Sequence, residues 1–263
     1  MKRLVIVVLA SILSMTVFAE GYQVNLLSTK QTGMGHVGTG MKLGAESMHF
    51  NPAGLVFLRT NMDFSLGISA IMAKAKYSYD GYSAKTDNPV GTPLYAYAGF
   101  KIYDNLAAGI SLTTPYGNSL KWPKNWAGAG LIQDISLKSY VIQPTLSYKI
   151  TDRLSIGVSL QLAWGNVNLS RALMGASDLQ GIGTKFESLL PLLAGVPSNI
   201  IPDEDKKAMQ EMVALMKGTE VPPAYARLEG NAHMRVGFNV GIMYDVCDKV
   251  TVGLSCRSKI KMR

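Results

Sequence analysis

One feature constrains this chain more than any other: apolar residues recur at every second position over seven separate segments. In the first, Met62, Phe64, Leu66, Ile68, Ala70 and Met72 are apolar, and Asp63, Ser65, Gly67 and Ser69 between them are polar or small. The pattern returns over 94–102, 108–112, 140–150, 154–164, 236–244 and 250–254. Period two puts one kind of side chain on each face of a β-strand. Several of these segments exceed the five or six residues usual in a globular sheet, and they suit a tilted crossing of a bilayer, which needs about 9–11 residues. Asp104-Asn105, Thr151-Asp152 and Asp248-Lys249 supply tight polar turns between alternate pairs, and long segments join the others. That is the layout of an outer-membrane barrel. Tyr103, Tyr116, Tyr148, Trp164 and Tyr244 lie near strand ends, where interfacial girdles form. The competing reading is a secreted β-sandwich. It buries its apolar face under a second sheet, and it leaves the Gly-, Ser-, Thr- and Gln-rich opposite face unexplained.

The amino terminus sets the compartment. Lys2 and Arg3 precede an apolar run from Leu4 to Phe18, and Val17-Phe18-Ala19 fits a small-residue cleavage site. Residues 1–19 read as a secretory signal peptide. Removing them takes the net charge from +8 to +6. The remaining basic residues are dispersed and lack aromatic partners, which excludes nucleic acid as a partner. Beyond this leader no apolar run is long enough for a membrane-spanning helix. Two cysteines cannot staple a chain of 263 residues. Cys247 and Cys256 flank their turn unequally and read as free thiols.

Two regions break the strand rhythm. Residues 20–58 are Gly-rich and polar and end in Phe50-Asn51-Pro52-Ala53-Gly54-Leu55. They read as a hatch folded back into the barrel, or as a plain periplasmic leader. Gly33-Met34-Gly35-His36-Val37-Gly38 matches a dinucleotide-binding string, but no strand precedes it and no helix follows it. Residues 172–224 form a helical external loop. Phe186, Leu189, Leu190, Leu192 and Leu193 make a short apolar helical stretch. Pro202-Asp203 opens a second helix that stops at Gly218. Along it Met209, Met212, Val213, Leu215 and Met216 form a stripe. Either the two helices bury each other as a lid, or they present a greasy docking groove, for which flexible methionine is suited. His36, His49 and His233 show no metal or triad spacing, so no catalytic set, metal or cofactor is expected.

The chain resembles the FadL-type outer-membrane transporters of long-chain fatty acids and aromatic hydrocarbons. The resemblance is carried by residues 21–25, by the Gly-rich stretch ending in Asn51-Pro52-Ala53, and by Pro115-Tyr116-Gly117. Ser155-Ile156-Gly157 and the run from Gly237-Phe238-Asn239 to Ser258-Lys259 complete it. It implies a fourteen-stranded barrel, of which residues 59–263 supply about seven strands, with an N-terminal hatch over 20–58. It implies a groove of helical loops that takes up a hydrophobic molecule, with Leu189, Leu193, Met209, Met212, Leu215 and Met216 as candidate contacts. Lateral release into the bilayer would follow, through a gap at a kink in the third strand. Asn51, Pro52 and Ala53 match the hatch motif beside that gap, and Thr114 and Gly117 match the kink, where glycine would free φ. An ungapped alignment from Ser155 places Arg171 on the family's pocket arginine, where it would pair a carboxylate; the plainer reading is a charge at a loop base. The expected partners are a hydrophobic small molecule and outer-membrane lipid, with a monomeric full-length protein and no enzymatic activity. A diffusion porin would instead carry a charged constriction loop, and a lipid hydrolase a partnered Ser/His pair.

Overall fold

The computed structural model describes residues 23–262. The leader over 1–19 and the motif start at Gly21-Tyr22 lie outside them. Among the described residues ten strands form: β1 Met62–Ile68, β2 Lys76–Tyr79, β3 Tyr82–Lys85, β4 Leu94–Tyr103, β5 Leu106–Thr113, β6 Gly117–Lys121, β7 Asp134–Lys149, β8 Leu154–Ala172, β9 Tyr225–Cys247 and β10 Val250–Arg257. The main sheet is antiparallel in the order β1-β4-β5-β7-β8-β9-β10. These are the seven alternating segments, each beside its sequence neighbour. β6 also pairs with β7, sharing one sheet position with β5. The β4–β5, β7–β8 and β9–β10 connections are the three short polar turns, and the long connections lie at the other end.

The sheet is an inverted soluble protein. In all seven segments the even-numbered residues face outward and the odd-numbered ones inward. Outward side chains stay uncovered: Leu66 is 82% exposed and Leu254 69%. Inward side chains are mostly polar or small and buried, with Gln143 1% and Asn239 0% exposed, while Tyr95, Tyr97 and Met243 are buried apolar exceptions. A β-sandwich would bury the first set and wet the second, so the uncovered apolar face rules it out. Tyr148 and Tyr244 are exposed near the short-turn end, and Tyr140 stacks on Trp164 higher up, at 5.8 Å. The eight residue steps from Tyr140 to Tyr148 span about 26 Å of strand, or about 20 Å of height at a tilt near 40°, close to an apolar band of about 25 Å.

Residues 24–58 pack against the inward face. Their elements are α1 (Thr29–Gly33), a 3₁₀ turn over Gly44–Glu46, α2 (Ser47–Phe50) and a 3₁₀ helix over Pro52–Phe57. Met48, Ala45, Leu55 and Val56 are buried there with Tyr95 and Tyr97 of β4. The Glu46 carboxylate accepts from Ser65 on β1, whereas Arg257 on β10 donates to the carbonyl of His49. Three residues of chain reach at most about 11 Å, the Glu46 side chain adds a few more, and strand side chains stand roughly perpendicular to their sheet, whereas a flat sheet of seven positions would separate β1 from β10 by about 29 Å. The sheet therefore curls around the block.

Three sequence expectations need correction. The alternation over 62–72 outruns its strand, because after Ile68 the chain turns aside and pairs only as a bridge from Ile71 to Gly91. Residue 172 closes β8 and does not open the loop. β7, β8 and β9 also extend well beyond the alternating segments, since above Trp164 no lipid imposes the period. A Leu160→Arg substitution, between the two aromatic levels on the outward face, should cost about 2–4 kcal/mol of stability, read by denaturant titration of protein refolded in bilayers.

Candidate functional site: a break in the barrel wall and the block behind it

β5 stops at Thr113 and β6 starts at Gly117, yet both pair with β7. Thr113 sits opposite Val141, and Gly117 opposite Lys138. The broken strand thus carries one extra residue, a bulge. Pro115 lies within it, where a missing N–H removes no ladder bond. The freed groups find other partners. The Leu94 N–H donates to Thr114 Oγ1 at 2.9 Å, and the Thr114 N–H to the Leu94 carbonyl at 3.2 Å. The Tyr116 N–H donates to Ser139 Oγ at 3.1 Å, and that hydroxyl donates to the Tyr116 carbonyl at 2.9 Å. The Val24 N–H donates to the Pro115 carbonyl at 2.8 Å.

Glycine's conformational freedom is not what makes the break. A Cβ on Gly117 would meet the Leu137 carbonyl oxygen at 3.5 Å and Val24 at 3.8 Å, ordinary contacts, and its φ is not left-handed. The break rests on Thr114, Pro115 and Ser139.

Above Leu94–Thr114 no ladder joins β6 to the segment leading into β4. The two approach again where the Asp87 N–H donates to the Lys121 carbonyl at 2.8 Å. Between these two ties lies a cavity of about 290 Å³ lined by Val24, Ile71, Pro93, Leu94, Thr114, Tyr116, Gly117, Leu137 and Tyr140 among others. Thr114 and Gly117 are thus brought together at the gap. Asn51, Pro52 and Ala53 do not line it.

Asn51-Pro52-Ala53 is instead the fastening of the block. Asn51 is fully buried, accepts from the Ala53 N–H at 3.0 Å, and donates to the carbonyls of Thr39 at 2.8 Å and Ile242 at 3.1 Å. Asparagine before proline therefore starts the 3₁₀ helix and ties it to β9. The Ala53 carbonyl accepts from Ser147 and Ser155, the Met48 carbonyl from Gln143, and the His49 carbonyl from Asn239. Gly157 and Gly241 admit this close approach: a Cβ on Gly157 would overlap the Pro52 carbonyl, and one on Gly241 the Asn51 amide. Burial, with Arg257 nearby, holds the His49 imidazole well below the ordinary histidine range.

The loop holds α3 (Ala176–Glu187), α4 (Leu190–Ala194) and α5 (Asp203–Lys217). α5 matches the expected helix. α3 was not anticipated, and Phe186 belongs to its end, so the apolar stretch is split between α3 and α4. α3 packs on α5 where Gly183 meets Met216 and Lys217. Leu189, Met209, Met212 and Leu215 remain exposed, and Leu193 is half-buried. Arg171 is exposed beside Ala226 at the loop end of the sheet, and it has no ion-pair partner among the described residues. The structure brings Arg171 and the block to opposite ends of the strands. Cys247 and Cys256 are free and exposed. No cluster of metal-ligating side chains occurs among the described residues.

A curled antiparallel sheet with an apolar outside, a polar inside and an internal block defines an outer-membrane β-barrel architecture, here in part. Residues 10–263 match the family described as outer membrane protein transport protein (OMPP1/FadL/TodX), and the chain belongs to that family. It is 24% identical over 261 residues to the long-chain fatty acid transport protein of Escherichia coli K12, covering 97% of this chain and 55% of that protein. It also resembles the solved structures of a Pseudomonas aeruginosa FadL homologue (TM-score 0.61, 18% identity, 92% of this chain and 53% of that one) and of the Ralstonia pickettii toluene transporter TbuX (TM-score 0.57, 20% identity, 88% and 57%). The chain spans about half the length of the curated relatives it matches. It is an outer-membrane protein of a transport family.

Two predictions follow from this geometry. Ser139→Ala should cost about 1–2 kcal/mol locally and speed amide exchange at Tyr116, whereas Gly117→Ala should leave exchange unchanged. For His49, a folded value below the unfolded one means its stabilising contribution is complete above about pH 6.5 and declines as pH falls toward the folded value. Protection of the amides over 47–50, taken relative to the intrinsic exchange rate at each pH, should therefore fall from pH 7.5 to 5.5, and His49→Gln should remove that dependence.

Proposed function

We propose that this chain serves passive uptake of a long-chain fatty acid or another hydrophobic compound across the outer membrane, with lateral release into the bilayer. The observation that carries the reading is the framed gap between β4 and β6. A wall in lipid leaves no backbone group unpaired without cost, so a break with dedicated substitutes from Thr114, Ser139 and Val24 is a built feature. The apolar cavity behind it offers a molecule a path sideways, and each buried methylene is worth about 0.8 kcal/mol. Residues 24–58 act as the hatch that closes the direct route to the periplasm. Exposed Leu189, Met209, Met212 and Leu215, with half-buried Leu193 and Met216, form the external capture surface, and solvated Arg171 receives an incoming carboxylate at its base. The relatives' names support the substrate class: a long-chain fatty acid transport protein and a toluene transporter.

The test is uptake of labelled oleate and of toluene by cells that depend on this protein. Gly117→Trp, which fills the gap where a Cβ already has room, should lower the uptake rate about tenfold, equivalent to about 1.4 kcal/mol of barrier. Uptake untouched by Gly117→Trp overturns lateral release. Free leakage of small sugars through purified protein overturns the transporter reading in favour of a porin.

A further inference from the structure

The block holds a second cavity of about 290 Å³, and its chemistry differs from that of the gap. Gln23, Asn25, Gln31, His36, His49 and Arg257 line it beside the apolar Leu27 and Phe50, and no carboxylate of the described residues does. The acid near it, Glu46, is already engaged by Ser28 and Ser65, with Lys30 at 4.0 Å. Arg257 has no ion-pair partner among the described residues. Its Nη2 donates to the His49 carbonyl, and its Nη1 lies 3.4 Å from His49 Nε2. A guanidinium only donates, so Nε2 accepts and the imidazole proton sits on Nδ1. His49 Nδ1 and Arg257 Nε are thus two buried N–H donors, and neither has a partner. Buried donors without acceptors are rare and costly. The Gln31 amide oxygen is also buried without a partner, and this amide can turn to present its NH₂ group.

We propose that His49 and Arg257 form a carboxylate-binding subsite that takes the headgroup of a single-chain anionic amphiphile. An ionised carboxylate offers two acceptor oxygens and the charge that Arg257 lacks. One water needs only about 10–15 Å³ of such space, so the cavity is larger than a single water site. Its position favours an amphiphile over a small free anion. The extended segment 23–25 separates the two cavities, with Val24 facing the apolar gap and Gln23 and Asn25 facing the polar cavity. Gln23 pairs with Tyr116 at the gap itself. A headgroup at Arg257 therefore lies one strand's thickness from a path suited to its tail. The inference rests on the proposed function, since the amphiphile must reach the barrel interior. It adds that the exit side discriminates anionic from neutral cargo.

The experiment compares laurate with dodecanol, equal in chain length and differing in the carboxylate, by calorimetry at pH 8 in a non-ionic detergent. Wild type should bind laurate at least about tenfold more tightly, as a charge-assisted pair implies. Arg257→Gln should bring the two affinities together, with dodecanol binding unchanged. Protease resistance of residues 24–58 checks that the block is still seated. If Arg257→Gln unseats it, Arg257→Lys keeps the charge and loses the Nε donor, and it should lower the laurate preference while leaving dodecanol unaffected. Equal affinities in wild type, or a preference that survives both Arg257 variants and vanishes in Arg171→Ala, overturn the subsite and leave the transport reading standing. Binding of neither ligand overturns both.

Discussion

The structure depends on one constraint: inside a bilayer no water is available to pair a free N–H or C=O. Each unpaired group there costs several kcal/mol. An antiparallel ladder between long strands satisfies that demand along the seven-position path. Within that path, where the ladder fails at the β5–β6 break and at the block, another group stands in. At the β5–β6 break the substitutes are the Thr114 and Ser139 hydroxyls and the backbone of Val24. At the block they are Ser147, Ser155, Gln143 and Asn239, which reach carbonyls that a 3₁₀ helix and a short α-helix leave exposed. The polar inward face is thus no mere wetted lumen. It is the hydrogen-bonding template onto which the block is laid.

That template needs curvature as well as chemistry. The block touches β1 through Glu46 and β10 through His49, which a flat sheet forbids. It also needs close approach. Gly157 and Gly241 lie where the Asn51-Pro52 backbone comes nearest, and a side chain at either would lift the block off Ser155 and Asn239. Curl, inward glycine and inward serine are therefore one device, and Asn51 joins its parts by capping its own helix while donating to β9.

What the sequence made legible follows from where lipid acts. The seven crossing segments obey period two because both faces are under opposite solvents. Strand ends above Trp164 face water on both sides, so Arg227, Glu229 and His233 in β9 carry no such pattern and went unread. The β2–β3 hairpin has its Asp80-Gly81 turn, both at positive φ. Its strands have only four residues each, too short for alternation to announce them. α3 was missed because Gly181 and Gly183 weaken a helical reading. Gly183 is required by close contact with α5, which is tertiary information. The sequence marks the kink's place but not its cause: Gly117 lies within the motif, whereas Ser139, more than twenty residues away, does the pairing.

The same distinction separates the two arginines. Arg171 follows from position along one strand, and the structure leaves it at the loop end in water. There screening by solvent reduces an ion pair to about 0–1 kcal/mol. Arg257 sits on β10, whose sequence offers no signal that its side chain meets a block some two hundred residues earlier. Partly shielded from water, its field is less screened than that of Arg171. A charge beside an unpartnered imidazole N–H is a position that folding alone does not explain, because the block is already fastened by Asn51, Gln143 and Asn239. Where the break and the block supply a substitute for displaced backbone groups, two unpartnered donors on residues lining one cavity set that cavity apart from the fastening around it.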